Sequence, residues 1–252
     1  MSAPNALTIG ITTARAPECK RGVAVNVAAS IARTHAPERS VCVVDADPLA
    51  RDVTTRLPAR GVMLEDFGKA ITPAVERIGM LHHPPLAVLG CAAEGLGRVR
   101  FAADRAFPLL RRTFDIVVCD LVGGPTGPGR VVGARLDVLD WLLVAVTPER
   151  RAAAAAQHFL EHFETARQRR AVNPNLRLGV ICTGDENSTE LTVDEVEAAL
   201  GTPVVGSVPQ LWGRAEPNLG FGAALAIPEL DDAVHRMVTS LHGDTVANRL
   251  SA

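Results

Sequence analysis

Lysine is almost missing from this 252-residue chain: among 26 Lys and Arg residues, only Lys20 and Lys69 are lysines. The arginine bias reads as a genomic habit, which makes the location of Lys20 informative. Long apolar runs are missing too. The longest, such as Trp141–Val146, are strand-length, far short of the ~20 residues a membrane span needs. The start, MSAPNALTIG, lacks a basic segment followed by an apolar core, so no signal peptide is expected and a cytoplasmic location is. The five cysteines (Cys19, Cys42, Cys91, Cys119, Cys182) form no CxxC pair. Three lie in apolar runs, where a reduced thiol packs as a small hydrophobe, so neither a disulfide framework nor a zinc site is expected. Net charge is -2, which gives no overall pull towards nucleic acid or acidic membranes.

What is present is an ordinary globular composition, 47% apolar and 21% charged, with strand-like and helix-like stretches in alternation. Strands are expected at Leu7–Thr13, Val41–Asp45, Leu86–Gly90, Asp115–Asp120, Trp141–Thr147, Leu176–Thr183 and Pro203–Val208. Most are continuous apolar runs, the pattern of strands covered by helices on both faces. Helices are expected near Gly22–Thr34, Arg98–Thr113, Glu149–Arg170, Thr192–Leu200 and Pro228–Leu241. Leu230, Val234, Val238 and Leu241 share one face of the last, and Thr192 with Glu195 forms a capping-box pattern. Such alternation predicts an α/β fold, a doubly wound, mostly parallel sheet with helices on both faces. No Pro/Gly/Ser-rich linker divides the chain, so residues 1–252 read as a single domain. Gly61–Pro85 is the least regular stretch.

Ligands of a doubly wound sheet sit at the carboxyl ends of strands. After the first strand comes Arg15-Ala16-Pro17-Glu18-Cys19-Lys20-Arg21-Gly22, then VAVNVAASIA; the second ends in Asp45-Ala46-Asp47-Pro48; Phe114–Asp120 reads FDIVVCD. Together these resemble the MinD/ParA family of P-loop ATPases, with its deviant Walker A loop KGGxGKTT and following helix xxVNLAxxLA, its DxDPQ or DAD switch I, and its YDxxxxD Walker B strand. The C-terminal half adds Leu142–Pro148, like a strand ending in TP; Val196–Pro209, like ieelLGxpvlGvIP; and Ala215–Gly222, like AxxxG. The resemblance spans almost the whole chain.

It implies a nucleotide site for ATP and Mg²⁺. Arg15, Lys20, Arg21 and Gly22 would be its nucleotide-binding residues. Lys20 matches the phosphate-contacting lysine and Arg15 the signature lysine that reaches a dimer partner's nucleotide. Asp45 and Asp120 would serve the metal, and Asp47 catalysis in an active member. The loop departs sharply, however. Ala16, Pro17 and Cys19 fill the three glycine positions whose backbone N–H groups curl around phosphate, and Pro17 has no N–H to offer. Arg21 replaces the Thr that binds Mg²⁺, and Leu49 stands in place of Gln. Near Cys182-Thr183-Gly184 the adenine-reading Asn is absent. One expectation is that the Arg21 guanidinium takes the metal's place between Asp45 and Asp120; the other is that it points into solvent.

The resemblance implies a spatial regulator or scaffold, of the kind that acts in cell division, chromosome partitioning or polar positioning, with protein partners, a homodimer and little or no ATP hydrolysis. The alternative is an active ATP-dependent switch with an unusual P-loop. A nicotinamide oxidoreductase is disfavoured, since no GxGxxG follows the first strand. Elsewhere, Cys19 is either a reactive thiol at a helix N-terminus or a small residue filling a glycine position. His82-His83 reads as a solvated loop. Arg167, Arg169 and Arg170 are either a phosphate-backbone contact or a solvated helix end. The final LHGDTVANRLSA carries no basic amphipathic face for a membrane.

Overall fold

Strand β1 (Leu7–Thr13, LTIGITT) is buried along its whole length, its threonines included. The computed structural model describes residues 6–15, 20, 22–35, 38–57, 61–69, 75–82, 85–92, 95–123, 138–168, 173–184, 190–209 and 230–239. After β1 come helix α1 (Val23–His35), β2 (Val41–Ala46), the short helix α2 (Asp52–Arg56), β3 (Gly79–His82) and β4 (Pro85–Leu89). Then follow α3 (Leu96–Thr113), β5 (Ile116–Leu121), β6 (Trp141–Val146), α4 (Arg150–Gln168), β7 (Arg177–Gly184), α5 (Val193–Leu200) and β8 (Val204–Pro209). A last helix, α6, covers 230–239.

The strands form one eight-stranded sheet in the order β3-β4-β2-β5-β1-β6-β7-β8. Every pairing is parallel except that of β3 with β4. Alternate side chains of each central strand enter opposite cores, because the pleat has period two. Val43, Val118 and Leu143 pack with α1, α2 and α6 on one face. Val44, Cys119 and Val144 pack with α3, α4 and α5 on the other. The predicted doubly wound fold is therefore present. The irregular Gly61–Pro85 stretch contains two 3₁₀ turns, Leu64–Gly68 and Val75–Arg77, and the antiparallel edge strand β3.

Two features place the site. The chain leaves β1 through α1 on one face, whereas its neighbour β6 leads into α4 on the other. That divergence opens a crevice at the carboxyl ends. In addition, Asp45 and Asp120 stand in register on adjacent strands β2 and β5, so two carboxylates reach the same end of the sheet.

Candidate functional site

Lys20 lies just before α1, and its side chain is fully buried. An ammonium is costly to desolvate unless it is paired, and here two carboxylates pair with it. Nζ donates to Asp120 Oδ1 and lies 2.9 Å from Asp47 Oδ2. Burial alone would pull the lysine's pKa down, but the charges of Asp120 and Asp47 outweigh it and raise the value above 10.5. Lys20 is a cation locked between β5 and the turn after β2.

The carboxylates around it are unequal. Asp45 accepts from the Thr54 N–H at 2.9 Å and from Thr54 Oγ1 at 2.6 Å. Burial nevertheless raises its pKa, the Thr54 hydrogen bonds only offsetting that effect. Asp47 Oδ1 accepts from the N–H groups of Leu49 and Ala50, which shapes the turn and leaves Leu49 68% exposed. Asp120 Oδ2 is buried without a hydrogen-bond partner. Burial, opposed by Lys20 and reinforced by Asp45, pushes the Asp120 pKa up to about 7.

A fourth buried carboxylate, Asp52, closes the N-terminus of α1. The Gly22 N–H donates to Asp52 Oδ2, and Arg56 Nε donates to Asp52 Oδ1 at 2.8 Å. Gly22 has φ of +76°, a left-handed conformation that glycine adopts without a Cβ penalty. Arg51, the residue before α2, is also left-handed, with φ of 50°. It is held there by its N–H to Asp47 O at 2.8 Å and by Nε to Cys91 O at 3.1 Å. Neither α2 nor Asp52 was expected from sequence. The available signal was an acid five residues beyond Asp47, followed four residues later by Arg56 at ion-pair spacing.

Of the sequence candidates, Lys20, Gly22, Asp45, Asp47 and Asp120 meet at the carboxyl ends of β1, β2 and β5. Arg15 stands at the crevice, but its guanidinium pairs with Glu149, just before α4, at 2.9 Å. Arg21 and Cys19 lie outside the described residues, as do Ala16 and Pro17. Lys20 bridges the buried Asp47 and Asp120, and Asp45 turns to Thr54. His82 ends β3 on the surface. Arg167 bonds Pro174 O at 3.0 Å; Arg169 and Arg170 are outside the described residues. Groups of three or more metal-ligating residues positioned to hold an ion are absent among the described residues.

This strand order has counterparts among solved structures. A ParA family ATPase from Chlorobium tepidum TLS superposes with TM-score 0.66 at 17% identity, covering 93% of this chain and 98% of that one. MinD in the MinC:MinD cell division complex of Aquifex aeolicus gives 0.69 at 17%, covering 93% and 96%. The fold is that of the MinD and ParA ATPases. It also matches cobyrinic acid a,c-diamide synthase from Mycobacterium smegmatis with bound ADP and magnesium, at TM-score 0.64 and 19% identity, covering 93% and 96%. No protein-family model matches the sequence, nor does any curated sequence.

A MinD/ParA fold implies ATP and Mg²⁺. Among the described residues, the groups that would meet phosphate are the Lys20 ammonium and the N–H groups opening α1. Lys20 is taken by Asp47 and Asp120, and the Gly22 N–H by Asp52. As arranged, these residues do not fit a nucleotide phosphate.

Proposed function

We propose that this chain is a single-domain MinD/ParA-type protein that acts in the cytoplasm as a spatial regulator or scaffold, binding protein partners without turning over ATP. The reading rests on the MinD/ParA fold and, above all, on one observation: the buried lysine is neutralised by the chain's own Asp47 and Asp120. The MinC:MinD complex is an example of this fold engaged with a protein partner. Among the described residues, no helix is long and apolar enough to cross a membrane.

An active ATP-dependent switch is the second reading. It is favoured by the unpartnered Asp120 Oδ2, an oxygen free to face a hydrated cation. Phosphate release measured with ATP and Mg²⁺ separates the two. Release at background level, unchanged by Lys20→Ala, is expected. Mg²⁺-dependent turnover that Lys20→Ala abolishes in a folded variant would establish the switch instead.

A further inference from the structure

Asp52 has no place in the motifs above, yet it holds the most consequential contact of the site. A helix N-terminus presents unsatisfied N–H groups and a partial positive charge, and these attract an anion. At α1 the anion is the chain's own. The Asp52 carboxylate is 5% exposed and accepts from the Gly22 N–H. Its other oxygen takes Arg56 Nε at 2.8 Å. A Cβ on Gly22 would lie 3.8 Å from Arg56 Cζ, so the guanidinium sits over the first turn of the helix. Arg51 adds a second, independent mark. A non-glycine residue in the left-handed region costs energy and persists only where its surroundings enforce it. Its conformation (φ of 50°) immediately precedes Asp52, at the start of α2.

We infer that Asp52 is a built-in competitor of phosphate, and that it sets the site's selectivity against nucleoside polyphosphates. This rests on the MinD/ParA-type reading above. Carboxylate and phosphate oxygens seek the same donors, and the Gly22 N–H has one hydrogen to give. A phosphate that accepts from the Gly22 N–H must displace Asp52 Oδ2 and lie beside the charge of that carboxylate. Asp45, Asp47 and Asp120 are buried in the same site, and the negative charge of Asp52 already bears on Asp120. Exclusion therefore needs no change in Lys20.

The test measures binding. ATP affinity is determined by titration calorimetry, with Mg²⁺ and with EDTA, for the full chain and for Asp52→Ala and Asp52→Asn; pyrophosphate serves as a competitor without a base. Asp52→Ala is expected to tighten ATP and pyrophosphate by about tenfold or more, the equivalent of one charge-assisted hydrogen bond regained. Asp52→Asn, which keeps the shape and loses the charge, should gain part of that. Equal affinity in all three proteins, tight or weak, overturns the inference. Should the variants fail to fold, the Gly22 amide resonance in the unaltered protein decides. A carboxylate-bonded N–H shifts downfield and is protected from exchange, whereas an amide at the random-coil position rejects the contact. Weak ATP binding in all three would sink the role of Asp52 and leave the proposed function intact. Turnover in the unaltered protein, together with a gain in Asp52→Ala, would do the reverse.

Discussion

At the scale of single residues, buried carboxylates outnumber the cations paired with them among the described residues of the site. Asp45, Asp47, Asp52 and Asp120 are all buried, and the cations paired with them are Lys20 and Arg56. Asp120 carries the consequence, with its pKa pushed up to about 7 by burial and by Asp45 against the pull of Lys20. A carboxyl whose pKa is higher in the folded state binds its proton more tightly there than in the unfolded chain. Folding is favoured while the proton is held and loses that advantage as pH rises from about 4 through 7. Melting temperature should therefore fall between pH 5 and pH 8, and Asp120→Asn should flatten the fall. Parallel melting curves for the two proteins would show that Asp120 does not titrate in that window. Asp45, Asp47 and Asp120 were legible in sequence because each lies at or just after the end of an apolar strand, and Lys20 because it precedes the recognisable α1 sequence in a chain with only two lysines. Asp52 was not legible, since its position depends on a turn whose backbone no local pattern specifies. The position of Arg15 was legible as well, but its Glu149 partner lies across the crevice, 134 positions along the chain.

At the scale of elements, long pieces were readable and short ones were not. β1 runs Leu7–Thr13, as its β-branched residues implied. The Thr192–Glu195 capping box opens α5, because both of its bonds lie within one turn. By contrast, α2 is five residues long, too short for helical periodicity to register or for propensity to sustain. Tertiary contacts hold it in place. Thr54, at its centre, donates to Asp45 Oδ2 at 2.6 Å and accepts from the Cys91 N–H at 2.8 Å, so one hydroxyl links β2, α2 and the segment after β4. Thr54→Val keeps the shape and removes both bonds. A buried carboxylate oxygen and a backbone N–H would each lose a partner, at about 1–3 kcal/mol apiece. Urea unfolding should show a midpoint lowered accordingly. An unchanged midpoint would mean that water enters and replaces the hydroxyl.

At the scale of the whole molecule, alternating apolar strands and helices were enough to foresee a doubly wound sheet, since parallel strands need helical crossovers. The antiparallel edge strand β3 is not legible in the sequence, because its residues alternate between exposed and half-buried and lack the apolar run of a central strand. The same architecture frames the question of assembly. The sequence resemblance would make Arg15, which stands at the crevice between β1 and β6, the residue that reaches a partner's nucleotide. Here its guanidinium bonds Glu149 of its own chain at 2.9 Å, both side chains being more than 40% exposed. An exposed pair contributes only about 0–1 kcal/mol, so this contact would not by itself hold Arg15 back. On the function proposed above there is no reason to cross: among the described residues, the Lys20 ammonium and the Gly22 N–H are bonded to Asp47, Asp120 and Asp52. Self-association, where it occurs, should therefore be indifferent to nucleotide. Light scattering coupled to size exclusion, run with Mg²⁺ and with or without ATP, should return the same mass. A shift from monomer to dimer on adding ATP, lost in Arg15→Ala, would show that a phosphate is bound after all and that Arg15 leaves Glu149 to meet it.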